Sequence, residues 1–123
     1  MNVLVVVEDD PGMRVLIEEL IGEDQRLTLS GELSNVEDAI QTARVTQPDL
    51  MILDHFIEGE IMGLQAAPML KAAVPHAKII LFTSHDLTVE ARREPAIDAL
   101  VLKRDLDQLL PTAQSLLGLS STS

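Results

Sequence analysis

Four places in the chain carry residue types suited to phosphoryl or cation chemistry. Three consecutive acids, Glu8, Asp9 and Asp10, follow the apolar run "VLVVV". A fourth acid, Asp54, follows "LMIL"; Thr83 and Ser84 follow "KIILF"; Lys103 follows "ALVL". Adjacent carboxylates repel one another and resist burial, so a site they share must protonate or hold a cation. An all-oxygen donor set suits Mg²⁺, which keeps some of its waters. A carboxylate can also be a nucleophile and form an aspartyl phosphate. The charge that develops on a phosphoryl group then calls for a cation, a lysine and a hydroxyl or backbone donor.

The elements that would position these residues alternate along the chain. Five apolar runs, at 3–7, 27–33, 50–53, 78–82 and 99–102, read as strands. Four are continuous, the pattern of parallel strands buried on both faces. The second alternates and contains Ser30 and Gly31, which predicts an edge strand. Helical stripes lie between them: Met13, Leu16, Ile17, Leu20 and Ile21; Val36, Ala39, Ile40 and Ala43; Ala66, Ala67, Leu70, Ala73 and Val74; a weak one around 88–93; and Leu106, Leu109, Leu110, Ala113, Leu116 and Leu117. Asp10 is the expected N-cap of the first helix, with Pro11 at its first position. Pro68 predicts that the third helix starts near Gln65 or later.

The pattern is (βα)5: a doubly wound parallel sheet of flavodoxin-like order 2-1-3-4-5, with right-handed crossovers. Ligands in such sheets sit beyond the carboxyl ends of the strands, near the point where strand order reverses. The acids, the hydroxyl and the lysine all lie at that edge.

Composition narrows the function classes. One domain is expected from 123 residues, over 1–118, with a flexible tail at 119–123. Nine Lys and Arg against twenty Asp and Glu give a net charge of -11, which disfavours direct nucleic-acid binding and anionic membranes. No apolar stretch approaches the roughly 20 residues of a membrane span. The start shows no secretion signal, and the absence of cysteine fits a reducing compartment, so a cytoplasmic protein is expected.

The stretches "VVVEDDPGMR", "PDLMILD", "IILFTS" and "LVLK", in this order at the ends of strands 1, 3, 4 and 5, are together distinctive. On them the chain resembles the receiver (phosphoacceptor) domain of two-component response regulators over essentially its whole length. The resemblance implies that Asp54 accepts a phosphoryl group from a histidine kinase or histidine phosphotransfer protein. It implies that Glu8, Asp9, Asp54 and the backbone carbonyl of Phe56 hold Mg²⁺. Thr83 would bond a phosphoryl oxygen, and Lys103 would pair with Asp54 or its phosphoryl group. Thr83 and Leu100 would be the switch residues. The face of helix 4, strand 5 and helix 5 would take a downstream protein or a second copy of the chain. Such a domain modifies only itself and is not an enzyme in the ordinary sense.

The chain departs from that family at three places. Receivers usually read D-x-x-M-P-x-x-x-G after the phosphoacceptor, whereas Ile57 and Glu58 stand here for Met and Pro in a slightly longer loop. Arg104 replaces the proline that usually follows the lysine, so a trans Lys103–Arg104 bond is expected, as in many receivers of LuxR-type regulators. Leu100 replaces the usual Tyr or Phe at the switch position. Phe56 and His85 flank the expected phosphoryl site, and a bulky Phe56 should slow hydrolysis of the acyl phosphate.

Plainer readings exist for each residue. Asp10 serves the helix rather than a metal. Thr83 and Ser84 could cap a turn, and Lys103 could lie along the surface. His55, His76 and His85 lack metal-ligand spacing and read as loop residues. Met51, Met62 and Met69 read as packing. The alternative functions are a non-phosphorylated pseudo-receiver that only binds partners and a receiver fragment of a LuxR-type transcription factor. A phosphohydrolase of the haloacid-dehalogenase type is opposed by Phe56 where a second acid would stand.

Overall fold

In a computed structural model, residues 1–7, 11–57, 59 and 61–120 are described. The strands are β1 (Asn2–Val6), β2 (Thr28–Leu33), β3 (Leu50–Asp54), β4 (Lys78–Thr83) and β5 (Ala99–Leu102). The helices are α1 (Pro11–Gly22), α2 (Val36–Thr46), α3 (Gly63–Ala73), α4 (Thr88–Arg92) and α5 (Leu109–Leu116). All strands pair in parallel, in the order β2-β1-β3-β4-β5. This is the expected flavodoxin-like sheet, and β2 is an edge. No described helix is long and apolar enough to cross a membrane.

The continuous apolar strands serve two cores because successive side chains point to opposite faces. Leu4, Val6, Met51, Leu53, Ile79 and Leu81 pack with Val36, Ala39 and Ala43 of α2 and Ala66, Ala67 and Leu70 of α3. Val3, Val5, Leu50, Ile52, Ile80, Phe82 and Val101 pack with Ile17 and Ile21 of α1 and Leu109, Leu110 and Ala113 of α5. Burial on both faces makes β3 the most enclosed strand, with all five residues buried. The β1–β2 ladder slips between Val3 and Leu4, so that Leu29 and Gly31 are paired and Ser30 is skipped. The Ser30 hydroxyl donates to the Val3 carbonyl at 3.3 Å there.

Two local expectations need correction. Helix α3 starts at Gly63, before Gln65, and carries Pro68 inside it. Pro68 falls in the second turn, where it leaves the Leu64 carbonyl without its helical N–H donor. The last helix does not begin at Leu106: a 3-10 segment, Lys103–Gln108, precedes α5, with Asp105 out of helical geometry at φ -103° and ψ 43°. The described tail residues Leu119 and Ser120 each make a contact with the body. The Leu119 N–H donates to the Gln114 carbonyl at 2.8 Å, and the Arg26 guanidinium donates to the Ser120 carbonyl at 2.6 Å. The Asp10 cap expected for α1 lies outside the described residues.

Asp24, not singled out in the sequence, organises that end of the molecule. Its buried carboxylate accepts from Arg26 Nε at 2.9 Å, from an Arg26 terminal nitrogen at 2.7 Å and from Gln114 Nε2 at 3.0 Å. The Arg26 and Gln114 side chains hold its pKa well below the ordinary carboxylate range.

Glu32 on β2 is the opposite case. Burial, reinforced by a hydrogen bond with Glu18 of α1 and by that acid's charge, pushes its pKa from 4.5 up to about 7, while Arg14 pulls it down. An acid with a raised folded pKa holds more protons folded than unfolded, so its contribution falls as pH rises from 4.5 to about 7. Asp24 acts below that window, because its pKa is lowered from 3.8. Glu32→Gln should remove the decline. Urea unfolding at pH 5 and pH 7.5 is expected to show a smaller loss of stability with pH in the variant than in the wild type.

Candidate functional site

The ladder register brings the expected residues to one end of the sheet. Asp54 ends β3 opposite Phe82 of β4, and Thr83, the next residue of β4, lies opposite Leu102 of β5. Lys103 follows Leu102 directly. Asp54 is 2% exposed and Thr83 is fully buried. The Lys103 Nζ donates to Asp54 Oδ2 at 2.7 Å. The Phe56 N–H donates to Asp54 Oδ1 at 3.2 Å. Among the described residues each carboxylate oxygen therefore has one donor, one charged and one from the backbone.

Thr83 sits beside this pair with a divided role. Its Oγ1 accepts the His85 N–H at 3.2 Å, so the hydroxyl does close the turn after β4. Among the described residues no acceptor for its own proton is seen. Accepting that bond does not use the donor function of the hydroxyl. Ser84 is exposed, with its hydroxyl 3.4 Å from His85 Nδ1.

Glu8 and Asp9, the expected metal ligands, lie outside the described residues. Among the described residues no group of three His, Cys, Asp or Glu could hold a metal ion. The last described residue before Glu8 and Asp9 is buried Val7, whose N–H donates to the Leu33 carbonyl at 3.0 Å. Val6, just before it, lies opposite Leu53 on β3. Of the expected ligands, the described residues supply the buried Asp54 carboxylate, a hard oxygen donor of the kind divalent cations such as Mg²⁺ take.

Two histidines do more than the sequence reading gave them. His55 Nδ1 accepts the Leu64 N–H at 3.3 Å, at the start of α3. Burial lowers the His55 pKa, the Asp54 charge raises it and His85 lowers it further. The Phe56 ring stands edge-on between His55, with centroids 5.0 Å apart, and His85, at 4.9 Å. Phe56 is 39% exposed, so this row of rings lies at the outer side of the site. The signal for it was present as Phe and His at matched offsets from Asp54 and Thr83; the helix bond of His55 had no sequence signal.

Leu100 lies half-buried on β5 opposite Leu81, packed on the α2–α3 side of the sheet. With Thr88, Ala91, Arg92 and Ile97 it lines a groove of about 270 Å³ between α4 and β5. Every peptide bond between described residues is trans, including Lys103–Arg104. Among the methionines, Met51 is in the core, whereas Met69 is 41% exposed and does not pack as expected.

Comparison with known proteins places this geometry. Residues 4–114 match the response regulator receiver domain family. The nitrate/nitrite response regulator protein NarL of Escherichia coli is 28% identical over 102 residues, 81% of this chain and 47% of its own length. The response regulator protein VraR of Staphylococcus saprophyticus is 26% identical over 99 residues, 79% of this chain and 47% of its own. The chain thus spans about half the length of these curated relatives. A LuxR-family two-component response regulator from Aurantimonas superposes with a TM-score of 0.84 at 23% identity, covering 99% of this chain and 89% of that one. The response regulator domain of Thermotoga maritima CheB gives 0.80 at 19%, covering 98% of each chain.

The Asp54–Lys103 contact makes a quantitative prediction. Removing one partner of a buried ion pair typically costs about 3–5 kcal/mol, because the remaining charge is stranded. Lys103 is itself 26% exposed, so solvent screening should reduce the loss to about 1–3 kcal/mol. Lys103→Met is expected to destabilise the protein by that amount, and adding Asp54→Asn should restore most of it. Urea denaturation of the four proteins of the cycle measures both steps; additive effects would contradict a direct pair.

Proposed function

Since the chain belongs to the response regulator receiver domain family, a family of phosphorelay signalling, we propose that it is a phosphorylation switch with Asp54 as phosphoacceptor. The observation that carries this reading is the buried Asp54 carboxylate held by Lys103 at 2.7 Å, with Thr83 on the neighbouring strand. What sets Asp54 apart from the equally buried Asp24 is its place at the carboxyl ends of the strands, where ligands of such sheets bind, with a lysine as its partner.

The chemistry is a transfer between two nucleophiles. An Asp54 carboxylate oxygen forms a bond to phosphorus as the bond from phosphorus to the donor histidine nitrogen breaks, and that nitrogen keeps the electron pair. Lys103 balances the charge of the group that Asp54 receives. The Thr83 hydroxyl donates its free proton to a phosphoryl oxygen. Asp54, the Phe56 carbonyl, Glu8 and Asp9 would hold Mg²⁺, which would supply neutralisation of the phosphoryl oxygens. The partner that delivers the phosphoryl group is a histidine kinase or a histidine phosphotransfer protein. The protein turns over no separate substrate.

The output face is that of α4, β5 and α5, where Leu100 lines the groove beside α4. A downstream protein or a second copy of the chain docks there. A second reading, the receiver portion of a LuxR-type regulator, is favoured by the length of NarL and VraR, about twice the span matched.

Incubation with acetyl phosphate should add one phosphoryl group, read by intact mass, only when Mg²⁺ is present and not in Asp54→Asn. A wild-type chain that stays unmodified while binding partners would instead mark a pseudo-receiver. The ring row over the site sets the lifetime of the phosphoryl group. Phe56→Asn opens the site to water and is expected to speed decay several-fold; equal decay rates on Phos-tag gels would remove that role from Phe56.

A further inference from the structure

The loop from His55 to Leu64 closes on itself at the residue after Asp54. The Gly63 N–H donates to the His55 carbonyl at 2.6 Å, and the Leu64 N–H donates to His55 Nδ1 at 3.3 Å. The first N–H groups of a helix have no partner within it and must be satisfied from outside. One residue, His55, serves two of them in α3. The N-cap residue, Met62, offers no side-chain acceptor, so the imidazole takes the capping role from across the loop.

The approach is close enough to demand glycine. A Cβ on Gly63 would collide with the Asp54 carbonyl oxygen and lie 2.7 Å from His55 Cα. The start of α3 therefore rests directly on the peptide that carries the phosphoacceptor. Glu58 occupies the place where the family pattern has a stiffening proline. The loop lacks that restraint and has the His55 clasp.

We propose that His55 is a positioning residue for Asp54. Its imidazole latches the start of α3 to the end of β3, and this fixes the backbone that carries the Asp54 carboxylate and the Phe56 N–H bonded to it. The inference rests on the reading of Asp54 as phosphoacceptor. His55 touches the helix and not the reacting group, so its loss should lower the rate of transfer without weakening binding of the donor. Small displacements of reacting groups are costly, up to about a hundredfold for ~1 Å.

Three proteins test it: wild type, His55→Leu, which keeps bulk and loses the acceptor, and His55→Asn, whose side-chain oxygen can occupy the place of Nδ1. Amide hydrogen exchange is read first, on unphosphorylated protein. Leu64 should lose protection in His55→Leu and regain it in His55→Asn. Phosphorylation by acetyl phosphate with Mg²⁺ is read second. His55→Leu should be about tenfold slower at saturating donor, as expected for loss of roughly one hydrogen bond of positioning. Its half-saturating donor concentration should be unchanged, and His55→Asn should recover the rate. Unchanged Leu64 protection in His55→Leu, or a wild-type rate in that variant, would overturn the proposal, as would an Asn variant no better than Leu. A wild-type chain that takes no phosphoryl group would overturn the functional reading instead, and the Leu64 amide would still decide whether the clasp exists.

Discussion

A carboxylate buried to 2% exposure at the end of the central strand sets the terms for the rest of the molecule. Burying an isolated charge costs several kcal/mol, and the cost is offset only by partners with good geometry. Asp54 finds one in Lys103 at 2.7 Å and another in the Phe56 N–H. The pair ties β3 to the residue after β5 with β4 between them, so the sheet must hold three strand ends level. The ladders from Leu50 to Thr83 and from Ile80 to Leu102 are what hold them.

The opposite end of the sheet is fastened by ordinary structural polar contacts. Lys71 of α3 donates to the Asp98 carboxylate and the Ala77 carbonyl, each at 2.7 Å, and Asp98 also accepts from the Ile79 N–H at 2.8 Å. Asp24 gathers Arg26 and Gln114 in the same way. These acids have every neighbour they need within the fold. Asp54 differs because its partners, Phe56 and Lys103, lie just beyond the carboxyl ends of the strands, where a ligand can approach.

Much of this was legible in the sequence. Continuous runs such as "LMIL" and "KIILF" gave the buried parallel strands, and the β2 run with Ser30 and Gly31 gave the edge. Asp54, Thr83 and Lys103 were readable because each follows an apolar run directly, so a strand-end rule places it without knowledge of side-chain contacts. The features that escaped depend on geometry beyond local pattern. Helix α3 starts at Gly63, against Asp54 and His55, ahead of the position that Pro68 suggests. The 3-10 segment before α5 starts at Lys103, which is bonded to Asp54, and contains the kink at Asp105. The clasp of His55 on Leu64 joins positions nine apart through an imidazole, a residue type with no helix-cap signature. Asp24 looked like one more surface acid until the fold brought Gln114 to it.

The central claim is that Asp54 carries the phosphoryl group. An acyl phosphate is reduced by borohydride, and the modified aspartate becomes homoserine, which peptide mass spectrometry locates. After treatment with acetyl phosphate and Mg²⁺, reduction should convert Asp54 and no other residue. Homoserine at another acid, or at none, would contradict the assignment.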